Sequence, residues 1–153
     1  MANDSGDFAR SMSIATSGLR AQAGRMRVIS ENIANADSTA LTGGGEPYRR
    51  KIPSFTSALD RTLDAKVVTL GRVRTDQTAF RIKNEPGNPA ADEAGNVKYP
   101  NVNPLVEMTD MREAQRSYEA NLNIISATRR MIQRTLDILK AGTGKFATWL
   151  HRR

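Results

Sequence analysis

Residues 8–36 read FARSMSIATSGLRAQAGRMRVISENIANA, and their spacing decides the fold. Phe8, Met12, Ala15, Leu19, Gln22, Met26, Ile29 and Ile33 follow one another in alternating steps of four and three. That alternation lines side chains along one seam of a helix, and a helix with such a seam needs a partner. The matching pattern stands at the other end of the chain. Met111, Tyr118, Ile125, Ile132 and Leu139 recur every seven residues, with Leu122 and Leu136 between them. The expected fold is mainly α with a small β element. Long N- and C-terminal helices pair as an antiparallel coiled coil around a short antiparallel β-rich middle domain. The expected assembly seam is Phe8, Met12, Leu19, Met26, Ile29 and Ile33 on the first helix. On the last it is Met111, Tyr118, Leu122, Ile125, Ile132, Leu136 and Leu139. Ile14, Val28, Leu105 and Ile124 fall off this seam and are expected to be free for contacts with other subunits.

Punctuation residues set the boundaries. Asp4, Ser5 and Asp7 are candidate N-caps of the first helix, where carboxylates suit the positive end of the helix dipole. Gly18 and Gly24 lie inside it and are expected to permit close helix approach or local curvature. The helix is expected to end near Asn35, because asparagine tolerates the left-handed cap conformation. Thr42-Gly43-Gly44-Gly45 reads as a flexible connector closed by Pro47. Beyond it the period shortens. Tyr48–Phe55 is extended, Lys66–Arg74 is rich in β-formers, and Ala79–Lys83 and Asn96–Tyr99 are short strand candidates. Residues 56–64 are read as a short helix. The strands predict one antiparallel element of two to four strands. Asn103-Pro104 opens the last helix as N-cap and first helical residue, and Gly142 is read as its stop. The resulting division is residues 1–35, first helix of the core domain; 36–103, connector and β-rich domain; 104–141, last helix; 142–153, basic tail.

Composition limits the chemistry. The chain has 153 residues, 39% hydrophobic but only 5% aromatic, so large core-forming side chains are scarce. Long helices with so little core are expected to depend on neighbouring copies to bury their seams. With no cysteine and one histidine, His151, thiolate metal sites are excluded and a histidine-based relay is left without parts. Gly142-Thr143-Gly144-Lys145 lacks the first glycine and the closing Ser/Thr of a phosphate loop. Asp92 and Glu93 lack the alternating oxygen ligands of a calcium loop. Asp110 and Glu113 share a helix face, with Arg112 and Arg116 close by, and are read as surface ion pairs ahead of an acid–base couple. No catalytic, cofactor-binding or metal-binding residue is therefore assigned. The net charge of +7 leaves a basic helical nucleic-acid-binding protein as the alternative, although no aromatic stacking platform accompanies the cations. No stretch reaches the apolar length of a membrane span. The N-terminal residues lack the apolar region of a cleaved secretory signal, so any export is expected to use another route.

The stretch 17–39, SGLRAQAGRMRVISENIANADST, resembles the N-terminal signature of the axial proteins of the bacterial flagellum, the rod and hook family. Its centre is Asn32-Ile33-Ala34-Asn35-Ala36. The likeness continues through Pro47–Lys51, Asn88–Val97, Pro100-Asn101-Val102-Asn103, Glu107–Met111 and Tyr118-Glu119-Ala120-Asn121. The short middle section is similar to the proximal-rod members in particular. Two stretches depart from the pattern: the glycine-rich connector Thr42–Glu46 and the tail Gly142–Arg153. The resemblance implies a structural subunit that assembles helically into the hollow drive shaft crossing the periplasm. It implies export through the flagellar type III apparatus without a cleaved signal. The implied partners are copies of the chain, other proximal-rod subunits of the FlgB and FlgF types, the FliE-type hook–basal body adaptor below and the FlgG-type distal rod above. Neither nucleic acid nor a direct membrane span is implied.

Overall fold

A computed structural model describes the backbone of residues 4–150 and the side chains of residues 6–141. Two long helices dominate: α1, Asp4–Ala34, and α2, Pro104–Leu150. Between them lie six short strands: β1 Lys51–Ile52, β2 Phe55–Asp60, β3 Ala65–Leu70, β4 Arg74–Thr75, β5 Arg81–Asn84 and β6 Asn96–Tyr99. They form three separate antiparallel ladders, β1 with β4, β2 with β3 and β5 with β6, instead of the single element expected.

The helices begin and end for local reasons. Asn103 Oδ1 accepts the Leu105 amide at 3.1 Å, so Asn103 caps α2 and Pro104 takes the first helical position. At the end of α1 Asn35 works differently from expectation. Its side-chain amide donates to the Glu31 carbonyl at 2.8 Å, and the only described non-glycine residue with positive φ is Asp64. α2 also departs from the predicted stop. It runs through Gly142 and Gly144 to Leu150. An interior glycine costs only about 1 kcal/mol against alanine, and no proline follows to end the helix. The basic tail thus begins inside α2, while His151, Arg152 and Arg153 lie outside the described residues.

The expected short helix over 56–64 is instead the hairpin of β2 and β3, in register from Phe55↔Leu70 to Asp60↔Ala65. Asp60 Oδ1 holds the turn by accepting the amides of Thr62 at 2.9 Å and Leu63 at 3.4 Å, and Asp64 adopts φ 46°. Aspartate tolerates this conformation and closes turns through its carboxylate. A lone nine-residue helix has little to gain here, whereas the hairpin gains a backing surface. It lies along α1: Ser17 Oγ accepts the Val68 amide at 3.2 Å, and Arg10 Nε donates to the Leu63 carbonyl at 2.7 Å. Gly24 makes room for Leu70, whose Cδ2 would stand 2.8 Å from an added Cβ.

The opposite side of α1 meets α2. Asn32 pairs with Glu107, Arg25 with Asp110 and Glu113, and Gly18 with Asn121, so the two helices run antiparallel. A Cβ at Gly18 would fall 2.9 Å from the Asn121 amide, so this glycine lets Asn121 of α2 lie close against α1. The centre of the contact is small and polar: Ala15, Ala114, Thr128, Asn32 and Glu107 are all buried, with Ile29 the largest apolar member. α2 is 47 residues long against 31 for α1, so its last turns project past the start of its partner.

Candidate functional site

The asparagine element at the end of α1 has a structural job that its sequence only hinted at. Asn32 is 1% exposed and makes four hydrogen bonds. Its Nδ2 donates to the Lys51 carbonyl at 2.8 Å and to Glu107 Oε2 at 3.0 Å. Its Oδ1 accepts the Lys51 amide and the Tyr48 hydroxyl, each at 2.9 Å. One side chain therefore joins α1, β1 and α2 with every donor and acceptor used. Glu107 is fully buried, and its other oxygen accepts Arg50 Nε at 2.6 Å. The Arg50 guanidinium also faces Asp76 at 3.8 Å and Asp110 at 3.7 Å. Its backbone amide donates to Asn101 Oδ1 at 2.8 Å. Asn101 in turn donates to the Thr78 hydroxyl at 2.9 Å and the Asp76 carbonyl at 3.1 Å. A buried carboxylate is tolerable only with such charge-assisted partners.

A second brace closes the junction. Arg81 donates through Nη2 to the Ala36 carbonyl at 2.9 Å and through Nε to the Pro100 carbonyl at 3.1 Å. The two motifs far apart in sequence, 32–36 and 100–103, are thereby fastened to one guanidinium. Ala36, Pro100 and Val102 are buried beneath it. Ile33 and Asn35 are half-buried and Ala34 is exposed. In the third motif Asn121 sits against Gly18 and bonds the Ser117 carbonyl at 2.9 Å, Tyr118 is half-buried, and Glu119 and Ala120 face outward.

The expected seam residues divide into two sets. Ile29 is buried; Phe8, Met12, Leu19, Met26, Ile33, Met111, Tyr118, Ile125 and Ile132 are half-buried. Leu122, Leu136 and Leu139 are 41%, 46% and 61% exposed, outside the contact within one chain. Of the residues expected to be free, Ile14, Leu105 and Ile124 are exposed, but Val28 is 2% exposed, on the side of α1 that faces Val73 and Arg74. Asp110 and Glu113 pair with Arg25 of α1, where Arg112 and Arg116 had been expected. Sequence reasoning missed Glu107, Ala114 and Thr128 as seam members. The 107–114–121–128 heptad was available as a spacing, but with no apolar residue larger than alanine it carries no hydrophobic signal.

The carboxylates that brace the strands are held below their ordinary values. Lys51 does this to Glu31 (ordinarily 4.5), chiefly by a hydrogen bond at 2.9 Å. The Thr78 amide does it to Asp76 (ordinarily 3.8), and the Asn88 amide followed by the Tyr99 hydroxyl to Glu85 (ordinarily 4.5). Glu31 in return raises Lys51 above 10.5, and burial raises Tyr48 above 10.0. Depressed carboxylates stabilise the fold above their unfolded pKa, and that stability goes as pH falls through the folded values; the raised lysine and tyrosine contribute below theirs and lose it on the alkaline side. The expected urea midpoint is therefore level across neutral pH, falling once pH drops below about 4.5 and again above about 10. Glu31→Gln should flatten part of the acid limb.

No helix among the described residues is long and apolar enough to cross a membrane, and no cluster among them could hold a metal ion. A family described as Flagella basal body rod protein matches residues 12–40, and one described as Flagellar basal body rod FlgEFG protein C-terminal matches residues 93–138. Asn32 falls in the first segment, Asn101 and Glu107 in the second, so the junction ties the two matched segments together. The flagellar basal-body rod protein FlgC of Agrobacterium fabrum is 52% identical over 84% of this chain and 92% of its own length. The FlgC of Aquifex aeolicus is 36% identical over 88% and 98%, and that of Salmonella typhimurium 39% over 82% and 92%. Identity at this level, over more than four-fifths of the chain and nine-tenths of each relative, means that the chain belongs to the FlgC family of flagellar basal-body rod proteins.

Proposed function

We propose that the chain is a structural subunit of the proximal rod, and that its paired terminal helices form the wall of a hollow shaft. Rod proteins of this family are structural, so the chain is not an enzyme, and the nucleic-acid alternative finds no support among its relatives. One observation carries the packing argument. The helix pair is joined by small and polar side chains, yet Ile14, Leu122, Ile124, Met131, Leu136 and Ile138 stay 41–73% exposed. A monomer gains nothing from so much open apolar surface. Covering each side chain against a neighbouring rod subunit contributes about 1.5–3 kcal/mol. Contacts between unlike surfaces add copies along a helix instead of closing a dimer.

In the assembled state the terminal helices wind as an antiparallel coiled coil, with the half-buried seam residues completed by adjacent subunits. Torque passes through these many contacts, across the periplasm. FlgB- and FlgF-type subunits, the FliE-type adaptor and the FlgG-type distal rod are the neighbours in this reading. The flagellar type III apparatus exports the chain without a cleaved signal. Leu122→Asp tests it. The side chain is already partly in water, so the fold should survive, but basal bodies isolated from such cells should lack a complete rod and the cells should not swim. Intact rods and normal motility in that strain would refute the assignment.

A further inference from the structure

We propose that the C-terminal half of α2 docks an amphipathic helix with an acidic flank that belongs to a different polypeptide, not to a second copy of this chain. The inference rests on the rod reading and deepens it by naming the class of partner for one face. Ile124, Met131 and Ile138 are spaced by seven and are 46%, 48% and 73% exposed, so they form one straight ridge on α2. Arg130 and Arg134 stand beside that ridge, and Arg129 projects from the same two turns; all three are exposed. Among the described residues none of the three has an ion pair, a hydrogen bond or an aromatic ring beside it. The nearest carboxylate in sequence, Asp137, accepts a hydrogen bond from Gln133 at 3.0 Å. By contrast, Arg25 and Arg50, which face the helix contact farther along, are both paired with carboxylates.

An apolar ridge suits the groove of a facing helix, and Leu136 and Leu139, also exposed on these turns, widen the contact it can offer. Open guanidinium groups along the ridge select carboxylates on the facing helix. A second copy is a poor source of them, because the whole chain carries +7 and like charges across an interface are costly. Identical copies then meet through other faces, and this one specifies a non-identical neighbour.

The test places the photo-reactive residue p-benzoylphenylalanine at Met131 and irradiates intact basal bodies from flagellated cells. The expected product joins this chain to a different polypeptide, at a helical segment with Asp or Glu within one turn of the cross-linked residue. Arg130→Glu with Arg134→Glu should lower the yield at least tenfold; Arg130→Lys with Arg134→Lys should preserve it. A cross-link to a second copy, to lipid, to nucleic acid or to a segment without carboxylates would overturn the proposal. So would the absence of any cross-link while the chain is present in the basal bodies. Absence of the chain from basal bodies would overturn the rod reading itself.

Discussion

Asn32→Ala is expected to destabilise the folded chain by about 3–5 kcal/mol, far beyond an ordinary helix substitution. The reason is the number of groups left behind. Removing the amide strands the Lys51 amide, the Lys51 carbonyl and the Tyr48 hydroxyl, and it takes one of two hydrogen bonds from the buried Glu107 carboxylate. Each orphaned buried group costs about 1–3 kcal/mol, with partial relief where water reaches. Asn32→Asp preserves the shape and is expected to fare no better. It replaces a donor with an oxygen 3.0 Å from Glu107 Oε2, so two carboxylates meet inside the protein. Urea unfolding followed by circular dichroism reads both losses. A shift below 1 kcal/mol for Asn32→Ala would mean that the junction is not the anchor described here.

Which parts of this architecture could be read in advance depends on which force sets them. Local chemistry marked two of the helix ends, since Asn103-Pro104 announced the start of α2 and the end of α1 near Asn35 was placed correctly, but Gly142 did not stop α2. The two long helices followed from apolar periodicity, which burial alone dictates. The seam centre was legible only in part: Gly18 was expected to permit close approach and Ala15 and Ile29 lay on the stripe, but Ala114 is there for closeness, not hydrophobicity, and Asn32 and Glu107 for pairing. Periodicity pointed instead to the larger flanking residues, Met26, Met111, Tyr118 and Ile125. The 55–70 hairpin was half-legible. Val67 and Val68 marked β3, but β2 is read only once α1 supplies a surface beside it, and Ala58-Leu59 on its own favours a helix. The family motifs were recognisable as strings before they had a physical meaning. The structure gives one: Asn32, Asn101 and Glu107 are partners in a single network about Arg50.

The same network decides what a substitution at its buried charge does. Glu107→Ala is expected to cost about 3–5 kcal/mol, since breaking a buried pair leaves the remaining charge uncompensated. Arg50 keeps Asp76 and Asp110, but only at 3.7–3.8 Å, beyond good hydrogen-bond length. Glu107→Gln retains the volume and should still lose about 1–3 kcal/mol. Both oxygens of Glu107 accept, one from Asn32 and one from Arg50, so an amide must turn its NH2 toward a donor. Replacing both ends is the sharper experiment. In Glu107→Leu with Arg50→Leu no buried charge is left alone at this pair, and Asn32 keeps its three bonds to Lys51 and Tyr48. The double variant should therefore be more stable than Glu107→Ala, because well-packed apolar replacement of a buried ion pair is often neutral. Equilibrium unfolding of Glu107→Leu, Arg50→Leu and the double variant gives the coupling energy directly. If the double variant is as unstable as the sum of its parts, Glu107 and Arg50 act independently and the network is only a set of neighbours. If it recovers stability but no longer enters the rod, the charge pair fixes the angle between α1, β1 and α2 that neighbouring subunits require.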